Sequence, residues 1–388
     1  MLQDKKGLQI QMPDDALALG VRQAALNVVI GDWVTDTPTA ARLEGTSLYL
    51  RDPELNGLSN VVKLFRKRDI KVYLILLTRR TGSAKLDQVL LHPKFDIAAP
   101  NHYSAFNVVT PEGVSLIRSF TSALAEKLGP KEIAGWIVGN EVNSHWYWAN
   151  QGAASIDEVA DTTERSLRLV AESTKQPVYL SLEHHWNMRY LDNPLQTVPG
   201  RQLLDSIAKL SRERGDFGWR VAFHPYPENL FNPRFWEDKT ATLSFDAPRV
   251  TFRNLEVLTE YLKQPNLRWK GKPRIVNLTE QGFHRVETEQ GEIEQAAAYA
   301  YAYNRVKRNP GIEGFILNRH VDNVQEGGLN LGLWTRKPGS IADPDRKTKM
   351  YEVFAACGTP REEEATRFAL PIIGLKSWEE SGPKRVKK

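Results

Sequence analysis

The sequence contains a single cysteine, Cys357, among its 388 residues. One thiol excludes an intramolecular disulfide and a cysteine-ligated metal site. No stretch approaches the roughly 20 consecutive apolar residues that a membrane-spanning helix needs. Low-complexity segments and repeats with a period of about 20–50 residues are also absent. The chain is nevertheless 41% hydrophobic, which is enough for a sizeable core and excludes a wholly disordered chain.

The charge of the chain gives little support to a nucleic-acid partner. The formal net charge is +5, with 52 Lys and Arg against 47 Asp and Glu. Nucleic-acid binding depends on clustered basic residues, whereas here the two signs are interspersed. The only dense basic run covers residues 384–388, and we interpret it as a solvated tail. We therefore predict no nucleic-acid partner and no membrane span, and the oligomeric state stays open.

The cellular compartment also stays open. Residues 1–7 are polar and lack the apolar region of a secretory signal. We expect either a bacterial periplasmic or secreted protein whose signal peptide is not part of this sequence, or a cytoplasmic one. The scarcity of cysteine does not decide between them, because many exported bacterial enzymes have no disulfides.

Short apolar runs alternate with amphipathic stretches along the chain. The predicted strands are residues 8–11, 24–30, 71–77, 133–138, 178–182, 221–223, 274–278 and 314–317. The predicted helices between and after them are residues 14–19, 58–68, 111–128, 156–173, 202–213, 253–263, 293–308 and 347–356. Strands that alternate with helices indicate βαβ units and a parallel sheet. Eight such pairs predict an α/β fold of the (β/α)8 TIM-barrel type.

Connection lengths favour a barrel whose active face is elaborated. Helix-to-strand connections are short, whereas the strand-to-helix connections are long: 31–57, 78–110, 183–201, 224–252 and 318–346. Barrel enzymes place their sites on the strand-to-helix loops. An open doubly wound sheet would more often carry a Gly-rich phosphate turn after its first strand, and none is present. We predict one catalytic barrel over residues 1–358, and a C-terminal extension, 359–388, that packs on it and ends in the basic tail.

Two glutamates close apolar strands. Asn140 and Glu141 follow the fourth predicted strand, and Glu280 follows the seventh. In a closed barrel these strands face each other across the mouth. Glycoside hydrolysis needs one protonated carboxyl and one ionised carboxylate, about 5–5.5 Å apart for retention or about 6.5–9.5 Å for inversion. The pair therefore predicts a glycosidase.

These residues resemble clan A of the retaining glycoside hydrolases, as a bacterial family within or near it. Residues 223–226, Phe-His-Pro-Tyr, look like the clan's sixth-strand His-x-Tyr. The resemblance implies a (β/α)8 barrel with Glu141 as acid/base and Glu280 as nucleophile. It also implies that Asn140 binds the substrate hydroxyl beside the reacting carbon, and that the Tyr226 hydroxyl orients the nucleophile. His224 belongs to the same motif, and we expect His224 and Tyr226 to contact the substrate.

The eighth strand departs from the clan's pattern. Many members have a Trp there that floors the sugar site, whereas this chain has Asn318, Arg319 and His320. We expect Arg319 and His320 to bind substrate, and Trp334 to replace the missing ring from the loop. Trp146 is a further candidate sugar platform, with loop packing as its alternative role.

A histidine pair, His184 and His185, follows the fifth predicted strand. Neutral imidazoles bind Zn²⁺, but adjacent residues of a strand point to opposite faces, so both could not easily hold one ion. We predict that His184 lines the cleft, that the protein has no metal site and that it needs no cofactor.

The predicted function is a retaining glycosidase that cleaves a polysaccharide or oligosaccharide by double displacement. An anionic glycan, uronic or sulfated, is one possible substrate, because basic residues gather near the strand ends: Arg79, Arg80, Arg189, Arg285, Arg319, His284 and His320. Guanidinium groups recognise carboxylate and sulfate well. Ion pairs with nearby Asp and Glu are the alternative explanation. A non-catalytic carbohydrate-binding barrel is the alternative function.

Overall fold

A computed structural model describes residues 3–39, 41–129 and 131–388. Eight strands form the central sheet: β1 (Lys6–Gln9), β2 (Gln23–Val29), β3 (Lys71–Arg79), β4 (Ile133–Val138), β5 (Val178–Glu183), β6 (Arg220–His224), β7 (Val276–Leu278) and β8 (Ile312–Leu317). Their order is β2-β1-β8-β7-β6-β5-β4-β3, and β3 pairs with β2 to close the sheet. The prediction of a (β/α)8 barrel is confirmed.

Thirteen α-helical segments are found among the described residues. They are α1 (Pro13–Ala18), α2 (Ile30–Trp33), α3 (Asp52–Arg66), α4 (Ala84–Leu90), α5 (Pro111–Leu128), α6 (His145–Trp148), α7 (Ile156–Thr174), α8 (Gly200–Glu213), α9 (Glu256–Tyr261), α10 (Glu289–Arg308), α11 (Lys349–Ala356), α12 (Glu362–Thr366) and α13 (Ala369–Ile373). None of them combines the length and the apolar character that crossing a membrane requires.

Hydroxyl side chains set the start of several helices. Thr288 accepts a hydrogen bond from the Gly291 amide at 3.0 Å, which starts α10 four residues before the predicted position. Ser155 and Glu158 form a reciprocal capping box at the start of α7. Such caps satisfy amide groups that have no partner inside the helix.

The long strand-to-helix connections carry structure of their own. The short helices α2, α4 and α6 lie within them. Short antiparallel pairs add to them: Val34–Thr35 with Tyr49–Leu50, Tyr103–Ser104 on β3, and Trp334–Arg336 with Pro344–Lys347. The connections that follow the carboxyl ends of the strands therefore contain short helices and antiparallel strand pairs of their own.

The first strand begins at Lys6, two residues before the predicted start. Lys5 and Lys6 are both buried, and their ammonium groups donate to carbonyl oxygens where α10 and α11 end. The acceptors are Val306 and Asn309 for Lys5, at 2.9 and 2.8 Å, and Phe354 and Cys357 for Lys6, at 3.1 and 2.8 Å. Terminal helix carbonyls have no partner inside the helix and attract cations. Burial lowers the pKa of Lys5 to about 8.

The chain forms two compact units, and β2 and β6 each contribute residues to both. Unit 1 contains described residues 3–25, 223–262 and 275–388. Its core is rich in aromatic rings. The ring of Phe252 lies 5.4 Å from those of Phe235 and Phe283, and 5.3 Å from that of Phe315.

The C-terminal residues are part of unit 1. The Trp378 indole donates to Thr366 at 3.0 Å, and Arg305 of α10 donates to the Ser381 carbonyl. The backbone of Lys387 exchanges hydrogen bonds with Leu243 and Phe245, while the side chains of the basic run are largely exposed. The basic tail therefore has an ordered backbone on the surface of this unit.

Unit 2 contains described residues 26–39, 41–129, 131–222 and 263–274. The interior of β3, from Val72 to Thr78, is buried throughout, as expected for a parallel strand covered on both faces. Trp136 of β4 is fully buried, and its indole N–H donates to Gln176 at 2.6 Å. This pairing satisfies a polar group that burial would otherwise leave without a partner.

Candidate active site

Glu280 lies in unit 1, two residues after β7 ends, and is half-buried. The Tyr226 hydroxyl donates to its Oε1 at 3.3 Å, and the Gln9 amide donates to its Oε2 at 3.4 Å. Gln9 is the last residue of β1, so two other strand ends supply these donors. Each carboxylate oxygen is thus contacted by one neutral donor, which fixes the rotation of the group.

The sixth-strand motif lies beside this glutamate. His224 ends β6, and its Nε2 lies 3.0 Å from the hydroxyl of Thr279, the residue before Glu280. Asn318, just after β8, donates through Nδ2 to the Tyr226 oxygen at 3.1 Å. A chain of hydrogen bonds therefore runs from Asn318 through Tyr226 to Glu280.

Arg319 forms an ion pair near Glu280. Its guanidinium lies 3.2 Å from the carboxylate of Glu326. Burial raises the pKa of Glu326; the charge of Arg319 counteracts this and the charge of Glu280 adds to it. Sequence reasoning missed Glu326, because it lies within a long loop and follows no strand.

His320 and Trp334 have partners inside unit 1. His320 Nε2 lies 2.9 Å from Asp15, and its Nδ1 accepts backbone amides at 3.3 Å. The Trp334 indole and the Tyr351 hydroxyl also donate to Asp15, both at 2.9 Å. Burial lowers the pKa of His320, although Asp15 opposes the shift. Both ring nitrogens are thus occupied, and a substrate-binding role for His320 gains no support from these contacts. Trp334 stays half-exposed.

Glu141 lies in unit 2, three residues after β4 ends. Its backbone is left-handed, with φ 40° and ψ 51°, and Gly139 before it has φ 76°. Its amide donates to the Ser181 hydroxyl of β5 at 2.9 Å. Left-handed backbone in a residue other than glycine is strained and is concentrated at functional sites. Asn140 lies in the same turn and is half-buried.

Glu183, the last residue of β5, connects this turn to the next loop. One of its oxygens accepts hydrogen bonds from Asn143 Nδ2 and from Ser144 Oγ, the latter at 3.1 Å. The other accepts the His185 amide at 2.8 Å and His185 Nδ1 at 2.6 Å. Burial opposes ionisation, but these bonds and the charges of His185 and His184 outweigh it and lower the pKa of Glu183 to about 2. Sequence reasoning gave Glu183 no role, because its partners Asn143 and Ser144 are about 40 residues away.

The expectation that His184 and His185 point to opposite faces was wrong. Their ring centroids lie 4.4 Å apart with an interplanar angle of 35°. The reason is that β5 ends at Glu183, so the alternation of a strand no longer applies to them. His184 is buried. Glu183, His184 and His185 offer ligand atoms within 4.8 Å of one another, but the four hydrogen bonds to Glu183 satisfy its carboxylate without an ion.

The tryptophans near these loops differ in exposure. Trp146, on α6, is half-exposed, and its amide donates to the Gln196 carbonyl at 3.1 Å. Trp148 packs near Tyr103, with ring centroids 5.7 Å apart. Trp186 is fully buried and so cannot offer a sugar platform. Trp146 stays a predicted platform.

Four of the five arginines near the strand ends already face carboxylates. The pairs are Arg79 with Asp32 at 2.9 Å, Arg80 with Asp87 at 4.0 Å, Arg285 with Asp322 at 2.6 Å, and Arg319 with Glu326 at 3.2 Å. Arg189 is exposed and has no ion pair among the described residues. His284 accepts the Asn330 amide through Nδ1 at 3.1 Å.

Solved structures share the barrel at low sequence identity. A family 39 glycoside hydrolase from Bacteroides cellulosilyticus superposes with a TM-score of 0.57 and 15% identity over 93% of this chain; the chain spans 65%, slightly under two thirds, of that protein. A β-glucosidase from Pyrococcus furiosus gives 0.54 and 14%, over 93% of this chain and 86% of the other. GH5_18 from Streptomyces cattleya, solved with GlcNAc, gives 0.52 and 15%, over 96% and 75%. At these identities the likeness establishes the fold.

Sequence comparison gives one clear assignment. No protein of curated function matches the chain. The model of one family, described as "Family of unknown function (DUF5722)", matches residues 1–381. The chain therefore belongs to that family.

Proposed function

We propose that the protein is a retaining glycoside hydrolase in which Glu280 is the nucleophile and Glu141 the acid/base. The observation that carries this proposal is the position of both glutamates just after parallel strands, β7 and β4, of one closed sheet. The carboxyl ends of barrel strands form a single rim, where barrel enzymes hold their catalytic groups. Two carboxylates are the equipment of a retaining glycosidase.

The proposed reaction has two displacements. A Glu280 oxygen attacks the anomeric carbon while Glu141 gives its proton to the departing glycosidic oxygen, leaving a glycosyl ester on Glu280. Glu141, now ionised, then takes a proton from water, and the resulting hydroxide attacks the anomeric carbon and releases Glu280. Tyr226 and Gln9 each occupy one lone pair on a different Glu280 oxygen, so a second lone pair stays directed for attack. Asn140 would bind the hydroxyl beside the reacting carbon, and His224, which contacts the Thr279 hydroxyl beside Glu280, would contact the same sugar.

The solved structures with the same fold support the proposal only through their names, which include a β-glucosidase and family 5 and family 39 glycoside hydrolases. One barrel fold hosts many chemistries. The proposal therefore depends on the residues at the strand ends, and the shared fold only explains why these residues lie at one rim.

Replacement of each glutamate separates an enzyme from the alternative, a non-catalytic carbohydrate-binding barrel. We expect Glu141→Gln and Glu280→Gln each to abolish release of reducing sugar from polysaccharides while binding persists. Glu126→Gln, an exposed change on α5, is the matched control. Azide added to Glu280→Gly should restore turnover and give a glycosyl azide of inverted configuration. Wild-type binding without turnover on a broad polysaccharide panel would favour the binding barrel.

An anionic glycan is the narrower version of this function. Arg189 supports it, as an exposed guanidinium without an ion pair among the described residues, whereas the other four arginines face carboxylates. Arg319 would contact the substrate while it stays paired with the Glu326 carboxylate. Rates on neutral and on uronic or sulfated polysaccharides decide the matter, and cleavage of neutral chains alone would exclude the anionic version.

We also propose that residues 1–358 form the catalytic barrel and that residues 359–388 support it. The contacts of Trp378 with Thr366 and of Ser381 with Arg305 favour a supporting role. A chain ending at residue 358 should unfold at a lower temperature than the full chain, and an unchanged Tm would contradict that role.

A further inference from the structure

The loop that follows β5 lies beside the turn that holds Glu141. Strands β4 and β5 pair in parallel, with Val138 opposite Leu180. Glu141 lies three residues past Val138, and Glu183 lies three residues past Leu180. The hydrogen bond from the Glu141 amide to Ser181 shows that the two segments stay together past the end of β4. The Glu183 amide donates to the Asn143 side chain at 3.0 Å, so the segment that follows Glu183 starts beside the turn that holds Glu141.

Glu183 fixes the orientation of His185. Its carboxylate, with a pKa of about 2, is ionised near neutral pH and can only accept hydrogen bonds. The contact of 2.6 Å to His185 Nδ1 therefore requires the proton on Nδ1. Nε2 is then the ring nitrogen left for another contact, and no hydrogen bond to it is found within residues 3–39, 41–129 and 131–388. A buried histidine is thus held with one nitrogen available to a ligand.

Two tyrosines extend this surface. The Tyr190 ring lies 5.4 Å from that of His185, at 62°, and 5.1 Å from that of Tyr147, at 75°. Tyr190 is 53% exposed. Tyr147 comes from α6, just after the Glu141 turn. Exposed tyrosine rings offer an apolar face and a polar hydroxyl at a small cost in side-chain entropy.

We propose that His185, Tyr147 and Tyr190 form the binding site for the leaving-group sugar. The inference rests on the proposed function, because it assigns the acid/base to Glu141. That residue must reach the oxygen that the departing sugar carries away, so groups that share its turn and the adjacent strand end contact the departing sugar. The tyrosine rings pack on the sugar's C–H face, and His185 Nε2 forms a hydrogen bond with one of its hydroxyls.

Two substrates with one donor sugar test this site. A glycosyl fluoride releases fluoride and leaves the site empty, whereas a disaccharide fills it. The probes are β-glucosyl fluoride with cellobiose and β-mannosyl fluoride with β-1,4-mannobiose. We expect His185→Ala and Tyr190→Ala to lower kcat/KM at least tenfold on the disaccharide and less than twofold on the fluoride. Tyr190→Phe keeps the ring and should recover most of the loss.

Three results would overturn the inference: an equal loss on both substrates, no loss on the disaccharide, or the same loss for Tyr190→Phe as for Tyr190→Ala. If wild type turns over neither fluoride, the proposed function is what fails on these sugars. Calorimetric titration of Glu280→Gln with the disaccharides then measures binding to the site without turnover. His185→Ala in that background should weaken binding at least tenfold, and an equal heat signal with and without His185 contradicts the site.

Discussion

The surroundings of Glu280 and Glu141 differ in which part of the residue is held. In unit 1, side chains from β1 and from the end of β6 reach the Glu280 carboxylate directly, over 271 and 54 residues of sequence. In unit 2, the backbone of Glu141 is held in a left-handed turn, with its amide on Ser181. Glu183 then fixes the two polar residues that follow, Asn143 and Ser144. A nucleophile needs a carboxylate oxygen of fixed orientation. An acid/base needs a fixed position, because it gives a proton to the substrate in the first step and takes one from water in the second.

The largest expected effect is the loss of kcat when either glutamate is replaced. A substrate whose leaving group needs no proton should distinguish the nucleophile from the acid/base. Glu280→Gln should lower kcat by about four orders of magnitude or more on any substrate, the scale seen when a covalent nucleophile is removed. Glu141→Gln should lower it by about 10²–10⁴ on substrates that need protonation. With a 2,4-dinitrophenyl glycoside, which leaves without a proton, the first step of Glu141→Gln should stay near the wild-type rate. Equal losses of that first step in both variants, measured as burst kinetics, would contradict the assignment.

Replacement of Glu183 should affect stability and activity together. Glu183→Gln replaces one of the two accepting oxygens with an NH₂ group. The buried donors of Asn143, Ser144 or His185 that contacted this oxygen lose their acceptor, at a cost of about 1–3 kcal/mol each. We expect a Tm several degrees lower and kcat reduced about 10–100-fold, because the Glu141 turn loses its support. Thermal unfolding and initial rates measure both, and a normal Tm with normal kcat would remove Glu183 from the account.

Tyr226→Phe should affect activity alone. The change removes one hydrogen bond to Glu280 and one acceptor for Asn318 but keeps the ring. We expect kcat to fall about 10–100-fold, which corresponds to about 1.4–2.7 kcal/mol, with little change in Tm. A large fall in Tm with unchanged kcat would show that Tyr226 supports the fold of unit 1 and does not position Glu280.

Two buried histidines of unit 2 should contribute to the pH dependence of stability. Burial lowers the pKa of His92 and His145 to about 4, so the folded state disfavours protonation that the unfolded chain accepts near pH 6.5. The two histidines should therefore lower the free energy of unfolding as the pH falls from about 6.5 to 4, by an amount on the order of 3 kcal/mol each. Asp238, whose pKa burial raises to about 7, opposes this loss over the same range. Glu183 adds a further loss between about pH 4.5 and 2. His92→Gln should flatten the first slope in denaturant titrations, and an unchanged slope would contradict this cause.

The sequence was sufficient for the barrel and for the positions of Glu141 and Glu280 just after β4 and β7, because buried parallel strands appear as apolar runs. The catalytic roles of the two glutamates stay predictions. The sequence was insufficient where a side chain's partner is remote. Lys5 and Lys6 look like surface residues, yet they are buried against the ends of α10 and α11. The β1 boundary was misplaced for that reason.

The alternation of side chains along a strand did not predict the orientation of residues just past the strand end. The period of a strand placed His184 and His185 on opposite faces, although β5 stops at Glu183 and the two rings lie side by side. Glu326 follows no strand, and only the folded loop brings it near Glu280 and Arg319. Loop side chains around a site therefore need three-dimensional structure.

Covalent trapping would identify which carboxylate is the nucleophile. The protein would be incubated with 2-deoxy-2-fluoro-β-glucosyl and β-mannosyl fluorides, and the labelled peptide would be identified by mass spectrometry. We expect one fluorosugar per chain, esterified to Glu280 and absent in Glu280→Gln. A label on Glu141, Glu326 or another carboxylate, or turnover that gives the inverted anomer without any label, would contradict this expectation.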